Sequence, residues 1–237
     1  MKHASQNTIT QNINNIRAQI RETEQKYARL PGSVQLLAVS KTRPIEDVHA
    51  AFAENQLYFG ENYLQDALPK ITAISAPSIE WHFIGPIQSN KTRQIAQNFH
   101  WVHTIDRLKV AQRFSEQRDP VQNPLNVCIQ VNTSGESSKS GVLAEETLTL
   151  AKEISLLDNI NLRGLMTIPA STDKFAQQRQ PFRLLRELKN EIQSQGIELD
   201  TLSMGMSNDM EAAIAEGSTI VRIGTAIFGQ RIKKISH

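Results

Sequence analysis

A lysine stands directly after the apolar run LLAVS, as Lys41 in Ser40-Lys41-Thr42. An amine partly withdrawn from water has a lowered pKa, and its free base attacks an aldehyde to form a Schiff base. Two later segments are rich in Gly, Ser and Thr: Met204-Gly205-Met206-Ser207-Asn208-Asp209 and Arg222-Ile223-Gly224-Thr225. Where such a loop feeds a helix N-terminus, unpaired N–H groups and the positive end of the dipole face an anion, and glycine lets the backbone come close. Ser207 and Thr225 add hydroxyl donors. A lysine nucleophile opposite a phosphate cradle points to two ligand classes, pyridoxal phosphate and a sugar-phosphate aldehyde. Arg222 falls inside the apolar run TIVRIG, where a charge needs a partner. That partner is a neighbouring carboxylate or, if the side chain points inward, a ring nitrogen. Singly, each feature has a commoner reading, a solvated charge for the lysine and a turn for the loops.

Other chemistry-bearing residues are weaker signals. His82 in IEWHFIG either lines a site or is a hydrogen-bonded core histidine, while His49, His100 and His103 read as ordinary helix or strand positions. No His/Cys/Asp/Glu group has metal-ligand spacing, and neither a Walker motif nor GxGxxG occurs. The single cysteine, Cys128 in LNVCIQV, reads as a buried structural thiol, and the cysteine count fits a reducing compartment. A net charge of +2 with scattered basic residues argues against nucleic acid. No apolar stretch approaches the ~20 residues of a membrane span, and the N-terminus lacks a signal-peptide core, so a cytoplasmic protein is expected.

The elements that must position these residues follow from the hydrophobic rhythm. Ile9, Ile13, Ile16, Ile20 and Tyr27 recur at helical spacing over about 5–29, ended by Pro31 and Gly32. Apolar runs then alternate with helical patterns: 35–40, 57–60, 79–85, 101–105, 125–133, 162–168, 201–205 and 219–224. Pro44 is placed to open the helix IEDVHAAFAEN, and Ser207 or Asn208 to cap DMEAAIAEG, which Gly217 closes. Several runs are apolar throughout, as in strands covered on both faces. Eight strand–helix units match a single (β/α)8 TIM barrel over about 35–230 preceded by an extra helix, one domain spanning 1–237. A doubly wound open sheet is the alternative. In such a barrel the loops after the strands form the active face, and those after strands 7 and 8 are the usual phosphate site. Lys41 and both Gly/Ser/Thr loops fall there.

AVSKT (38–42), FGEN (59–62), HFIGPIQSNK (82–91), VNTSGESSKSG (131–141), GLMTIP (164–169), SMGMSNDMEAAI (203–214) and VRIGTAIFG (221–229) together resemble the YggS/PROSC family of pyridoxal phosphate-binding and homeostasis proteins. The resemblance spans almost the whole chain. It implies a fold-type III barrel similar to the N-terminal domain of alanine racemase, with pyridoxal 5′-phosphate as cofactor. It makes Lys41 the Schiff-base lysine, sets the phosphate on Ser207, Gly224 and Thr225, and turns Arg222 toward the pyridine nitrogen. Asn62, His82 and Met204 are implied to line the pocket. A guanidinium only donates, so it keeps that nitrogen unprotonated and the ring a poorer electron sink. The implied role is to hold the cofactor and pass it transiently to apo-enzymes, with no catalytic residues.

The rival reading is an amino-acid racemase, which needs proton-handling groups on both faces of the substrate carbon. The additional β domain that supplies one in alanine racemase is not expected here, and neither is its dimer contact, so a monomer is expected. A Schiff-base aldolase is a third class, disfavoured because its lysine typically sits on a later strand. Lys139, Lys233 and Lys234 read as solvated surface charges.

Overall fold

A computed structural model of the chain describes residues 6–74, 76–136 and 139–230. Strands β1 (Gln35–Val39), β2 (Tyr58–Glu61), β3 (Glu80–Phe83), β4 (Trp101–Ile105), β5 (Leu125–Gln130), β6 (Ile160–Met166), β7 (Thr201–Ser203) and β8 (Ile220–Ile223) close into a parallel barrel, β8 pairing with β1. Helices α2 (Ile45–Ala53), α3 (Leu64–Ala73), α4 (Thr92–Asn98), α5 (Leu108–Gln117), α6 (Ala144–Ile154), α7 (Phe175–Ser194) and α8 (Met210–Ala215) fill the crossovers, and a single turn, α9 (Thr225–Phe228), follows β8. All eight expected strands are present, with β3, β5, β6 and β7 ending two or three residues before the apolar runs do.

Side chains alternate across each strand, and this parity decides what faces the lumen. In β1, Leu36 and Ala38 join the core between sheet and helices, whereas Leu37 and Val39 join a separate cluster with Ile84 and Ile220. Trp101, Cys128 and Met166 form a second inner cluster. Between these apolar patches lie His82, His103, Ser203 and Arg222, all buried. Each is flanked by a residue of the outer core: Trp81 and Phe83, Val102, Leu202 and Met204, Val221 and Ile223 respectively.

The N-terminal helix α1 (Gln6–Lys26) buries Ile9, Ile13, Ile16 and Ile20 as its spacing predicts. Tyr27 lies past its end, with its hydroxyl donating to Glu211 at 2.9 Å. Buried Glu24 accepts from the N–H groups of Gly32 (3.0 Å) and Val34 (2.9 Å) and fastens the helix end to β1. Asn12 donates to the Ile227 carbonyl at 2.8 Å, so α1 also supports α9.

Two cap assignments are corrected. Pro44 precedes α2 in an extended conformation rather than entering its first turn. Asp209, not Ser207 or Asn208, occupies the N-cap of α8, and its carboxylate accepts from the Met206 N–H at 2.6 Å. Gly217, at φ +99°, does end that helix.

Candidate cofactor-binding cleft

A cleft opens at the C-terminal mouth of the barrel, lined by Val39, Lys41, Arg43, Asn62, Ile84, Ile168, Met206, Ser207, Arg222, Gly224 and Thr225. The structure therefore brings together six of the eight residues expected to bind a cofactor: Lys41, Asn62, Ser207, Arg222, Gly224 and Thr225. They come from the ends of β1, β2 and β8 and from the loop after β7.

His82 and Met204 do not line the cleft. His82 faces the lumen but stands two residues below Ile84, the cleft-lining residue at the end of β3, and is fully buried. Met204 neighbours lumen-facing Ser203, so strand parity turns it outward into the core beneath the helices. The other lysines stay apart as well. Lys139 belongs to a loop closed by Asn132, and Lys233 and Lys234 lie outside the described residues.

Lys41 is presented by a tight turn. The Arg43 N–H donates to the Ser40 carbonyl at 3.0 Å, with Thr42 at φ +62°. A β-branched residue in the left-handed region costs about 1–2 kcal/mol, so the surroundings must hold the turn. A buried polar knot beneath it does so. Lys70 donates to the Ser40 carbonyl (2.8 Å) and to Glu61 (2.7 Å), and the Ser40 hydroxyl donates to the same carboxylate oxygen at 2.6 Å. Burial pushes the Glu61 carboxyl upward, against the pull of Lys70. The knot ties the ends of β1 and β2 to α3. Sequence reading missed it, and the one available signal was a glutamate closing the apolar run YFGE.

Arg222 is buried at the cleft floor and makes no ion pair among the described residues. Its Nη1 donates to the Ser203 carbonyl (2.6 Å) and hydroxyl (2.8 Å), and Nη2 donates to the Thr167 carbonyl at 2.8 Å. Three of a guanidinium's five N–H donors are thereby committed to neutral acceptors, leaving two uncommitted on a residue that lines the cleft. Burial lowers the guanidinium to about 10, with Asp209 opposing from longer range, so it is charged at neutral pH. The carboxylate partner allowed by the sequence is not used.

The opposite wall carries donors of the kind that suit an anion. Gly224 caps α9, whose first N–H groups have no partner within the helix. Thr225 and Ser207 add hydroxyls. Asn62 Oδ1 is buried without a hydrogen-bond partner. The lining thus combines three cations, no carboxylate and an orphaned acceptor. Those features fit a small phosphate-bearing ligand that also offers a hydrogen-bond donor. Cys128 takes no part, since burial pushes its thiol up to about 12.

A closed (β/α)8 barrel carrying these groups at its C-terminal mouth defines a class, and residues 11–232 match the family described as alanine racemase, N-terminal domain. The pyridoxal phosphate homeostasis protein of Vibrio alginolyticus is 56% identical over 228 residues, covering 94% of this chain and 98% of its relative. The chain belongs to the family of pyridoxal phosphate homeostasis proteins. PipY of Synechococcus elongatus PCC7942, in its structure with PLP bound, superposes with a TM-score of 0.82 at 33% identity, over 93% of this chain and all of PipY. Alanine racemase from Corynebacterium glutamicum shares the fold at a TM-score of 0.71 and 18% identity, with 98% of this chain matching 64% of the racemase. Among the described residues no helix is long and apolar enough to cross a membrane, and no group of side chains is arranged to hold a metal ion.

Proposed function

We propose that the chain holds pyridoxal 5′-phosphate in this cleft and serves its homeostasis, keeping the cofactor bound and releasing it transiently to apo-enzymes. The observation that carries the reading is a buried, unpaired guanidinium sharing one small cleft with a lysine amine. A buried cation without a carboxylate is costly unless an anionic or acceptor-rich ligand completes it. When bound, pyridoxal phosphate supplies an aldehyde for an amine, a phosphate and an aromatic ring nitrogen.

The residues divide the work. Lys41 offers the amine, set at the mouth by its turn. Ser207, Thr225 and the N–H groups after Gly224 hold the phosphate. Arg222 keeps its two spare donors toward the ring nitrogen, and a group that cannot accept a proton there holds that nitrogen unprotonated. Asn62 Oδ1 takes a donor from the ring substituents, and Val39, Ile84, Ile168 and Met206 shield the faces. His82 and Met204 have no direct contact in this reading.

The same lining disfavours a racemase. Besides Lys41, its only titratable side chains are Arg43 and Arg222, which stay protonated and cannot act as a base on the second face. Tyr63 lines a neighbouring pocket instead. Every residue this reading assigns to the cofactor comes from one chain, which favours a monomeric single domain, and one buried thiol suits the cytoplasm.

Borohydride reduction followed by intact-mass measurement tests the proposal. A single pyridoxyl-phosphate adduct is expected on the protein loaded with pyridoxal phosphate, and none on Lys41→Ala. An unmodified wild-type mass after loading would overturn it.

A further inference from the structure

Arg222 is one end of a longer structure. The Ser203 hydroxyl, which accepts from Arg222, is 2.8 Å from His103 Nδ1, and His103 Nε2 is 2.9 Å from His82 Nδ1. His82 Nε2 is otherwise unpartnered and points toward Glu80, 3.9 Å away. The Trp101 indole holds that carboxylate, donating to it at 3.0 Å. The same Trp101 stacks on the His82 ring at an interplanar angle of 3° and a centroid separation of 5.4 Å. Tyr58 meets His82 edge-on at 6.2 Å. A hydrogen-bonded chain therefore runs through the lumen from the cleft floor to His82, and its far end faces half-exposed Glu80, where β3 begins, across 3.9 Å.

Donor counting gives the chain a direction. Arg222 can only donate, so the Ser203 oxygen accepts from it. The hydroxyl proton of Ser203 then has His103 Nδ1 as its acceptor. That places the His103 proton on Nε2, which donates to His82 Nδ1 and leaves the His82 proton on Nε2, facing Glu80. The reverse order would strand the serine hydroxyl proton in a buried site without an acceptor. The direction requires both imidazoles to be neutral. Burial does hold both histidines well below their usual range, His103 at about 3 with Arg222 adding to the effect.

We propose that Ser203, His103 and His82 are positioning residues, a one-way hydrogen-bonded chain that locks the Arg222 guanidinium so that its two spare donors stay aimed into the cleft. The inference rests on reading that cleft as the pyridoxal phosphate site. An arginine side chain carries about 2 kcal/mol of rotamer entropy, and a single buried conformer needs fixed acceptors. The Ser203 carbonyl is fixed by the strand, but its hydroxyl is a free rotor unless His103 orients it. His103 is in turn oriented by His82, and His82 by the rings of Trp101 and Tyr58.

The test compares wild type, Arg222→Ala, Ser203→Ala, His103→Leu and His103→Gln for affinity to pyridoxal phosphate, for the absorption band of the bound cofactor, and for melting temperature of the ligand-free protein. A glutamine amide carries both an acceptor oxygen and an NH2 donor, so it can relay the direction. Breaking the chain should weaken binding about tenfold, the worth of one charge-assisted hydrogen bond, and shift the absorption band toward that of Arg222→Ala. His103→Gln should return both toward wild type. A melting temperature that falls in step for Leu and Gln, with affinity and spectrum unchanged in both, would overturn the proposal and leave a core-packing role. If His103→Leu does not fold, Ser203→Ala, which removes one small hydroxyl, decides in its place. The two levels separate cleanly. An Arg222→Ala spectrum identical to wild type overturns the cleft reading together with the chain, whereas an altered Arg222→Ala spectrum beside an unaltered Ser203→Ala spectrum overturns the chain alone.

Discussion

Gly85→Ala is expected to destabilise the protein by about 3 kcal/mol or more and to damage the cleft at the same time. A Cβ at this position would lie 2.0 Å from the Asn62 carbonyl oxygen and 2.7 Å from its Cα and carbonyl carbon. Backbone cannot swing aside as a flexible side chain can, so either β3 or the segment after β2 must move. Gly85 is itself pinned, its carbonyl accepting from Thr104 Oγ1 at 2.7 Å. The displacement therefore falls on Asn62, whose orphaned oxygen lines the cleft, and pyridoxal phosphate affinity should fall with stability. Gly135→Ala separates this steric requirement from a conformational one. Gly135 sits at φ +69°, and a Cβ added there would meet nothing within 4 Å, so alanine costs only the left-handed backbone term of about 1–2 kcal/mol. Urea midpoints at constant m-value, read beside cofactor titrations, check both. Equal losses in the two variants would refute the close-approach argument.

The second large effect is acid lability. His103 is buried with its pKa near 3 against 6.5 in the unfolded chain. The folded state thus binds fewer protons than the unfolded state below pH 6.5. Its stability contribution is fully present above that pH and is lost as pH falls through it, by up to about 1.4 kcal/mol per pH unit. By pH 5 the loss from His103 alone is about 2 kcal/mol, and His82, depressed by the same burial, adds with the same sign. Glu61 and Asp209 act oppositely, because burial raises their pKa values and protonation favours the fold. A comparison of wild type with His103→Gln cancels those carboxyls. Denaturant stability measured from pH 8 to 5 should fall less in the variant, by about 2 kcal/mol over the range. Parallel curves would show that His103 is protonated or solvated in the native protein, and would also remove the neutral imidazoles on which the directed chain depends.

Much of this was legible in residue order. The barrel was readable because each strand is a short apolar run and each crossover carries a helical period, two signals that are local and repeat. The mouth was readable because strand ends carry Lys41, Asn62 and the Gly/Ser/Thr loops. Met204 shows where that reading stops. It lies beside Ser203, and choosing between them is a choice of strand parity, which a three-residue strand does not disclose. The lumen therefore holds Ser203, which residue type alone did not single out. His103, read as an ordinary strand position, has meaning only through partners on β3, its neighbour in the sheet, and on β7, which comes within reach only once the barrel closes.

Sequence by itself determined the number and order of the strands, the place of Lys41 at a strand end and the Gly/Ser/Thr loops after β7 and β8, because each of these is set by neighbours along the chain. Closure of the barrel decided the rest. It set Lys70 and Ser40 on one carboxylate, left Arg222 without an ion pair above a serine, and aligned His103 and His82 beneath it. Those contacts join neighbouring strands, a helix to the barrel mouth and, between β4 and β7, opposite walls of the lumen, and their energies depend on burial and distance, quantities that do not exist until the eight strands meet.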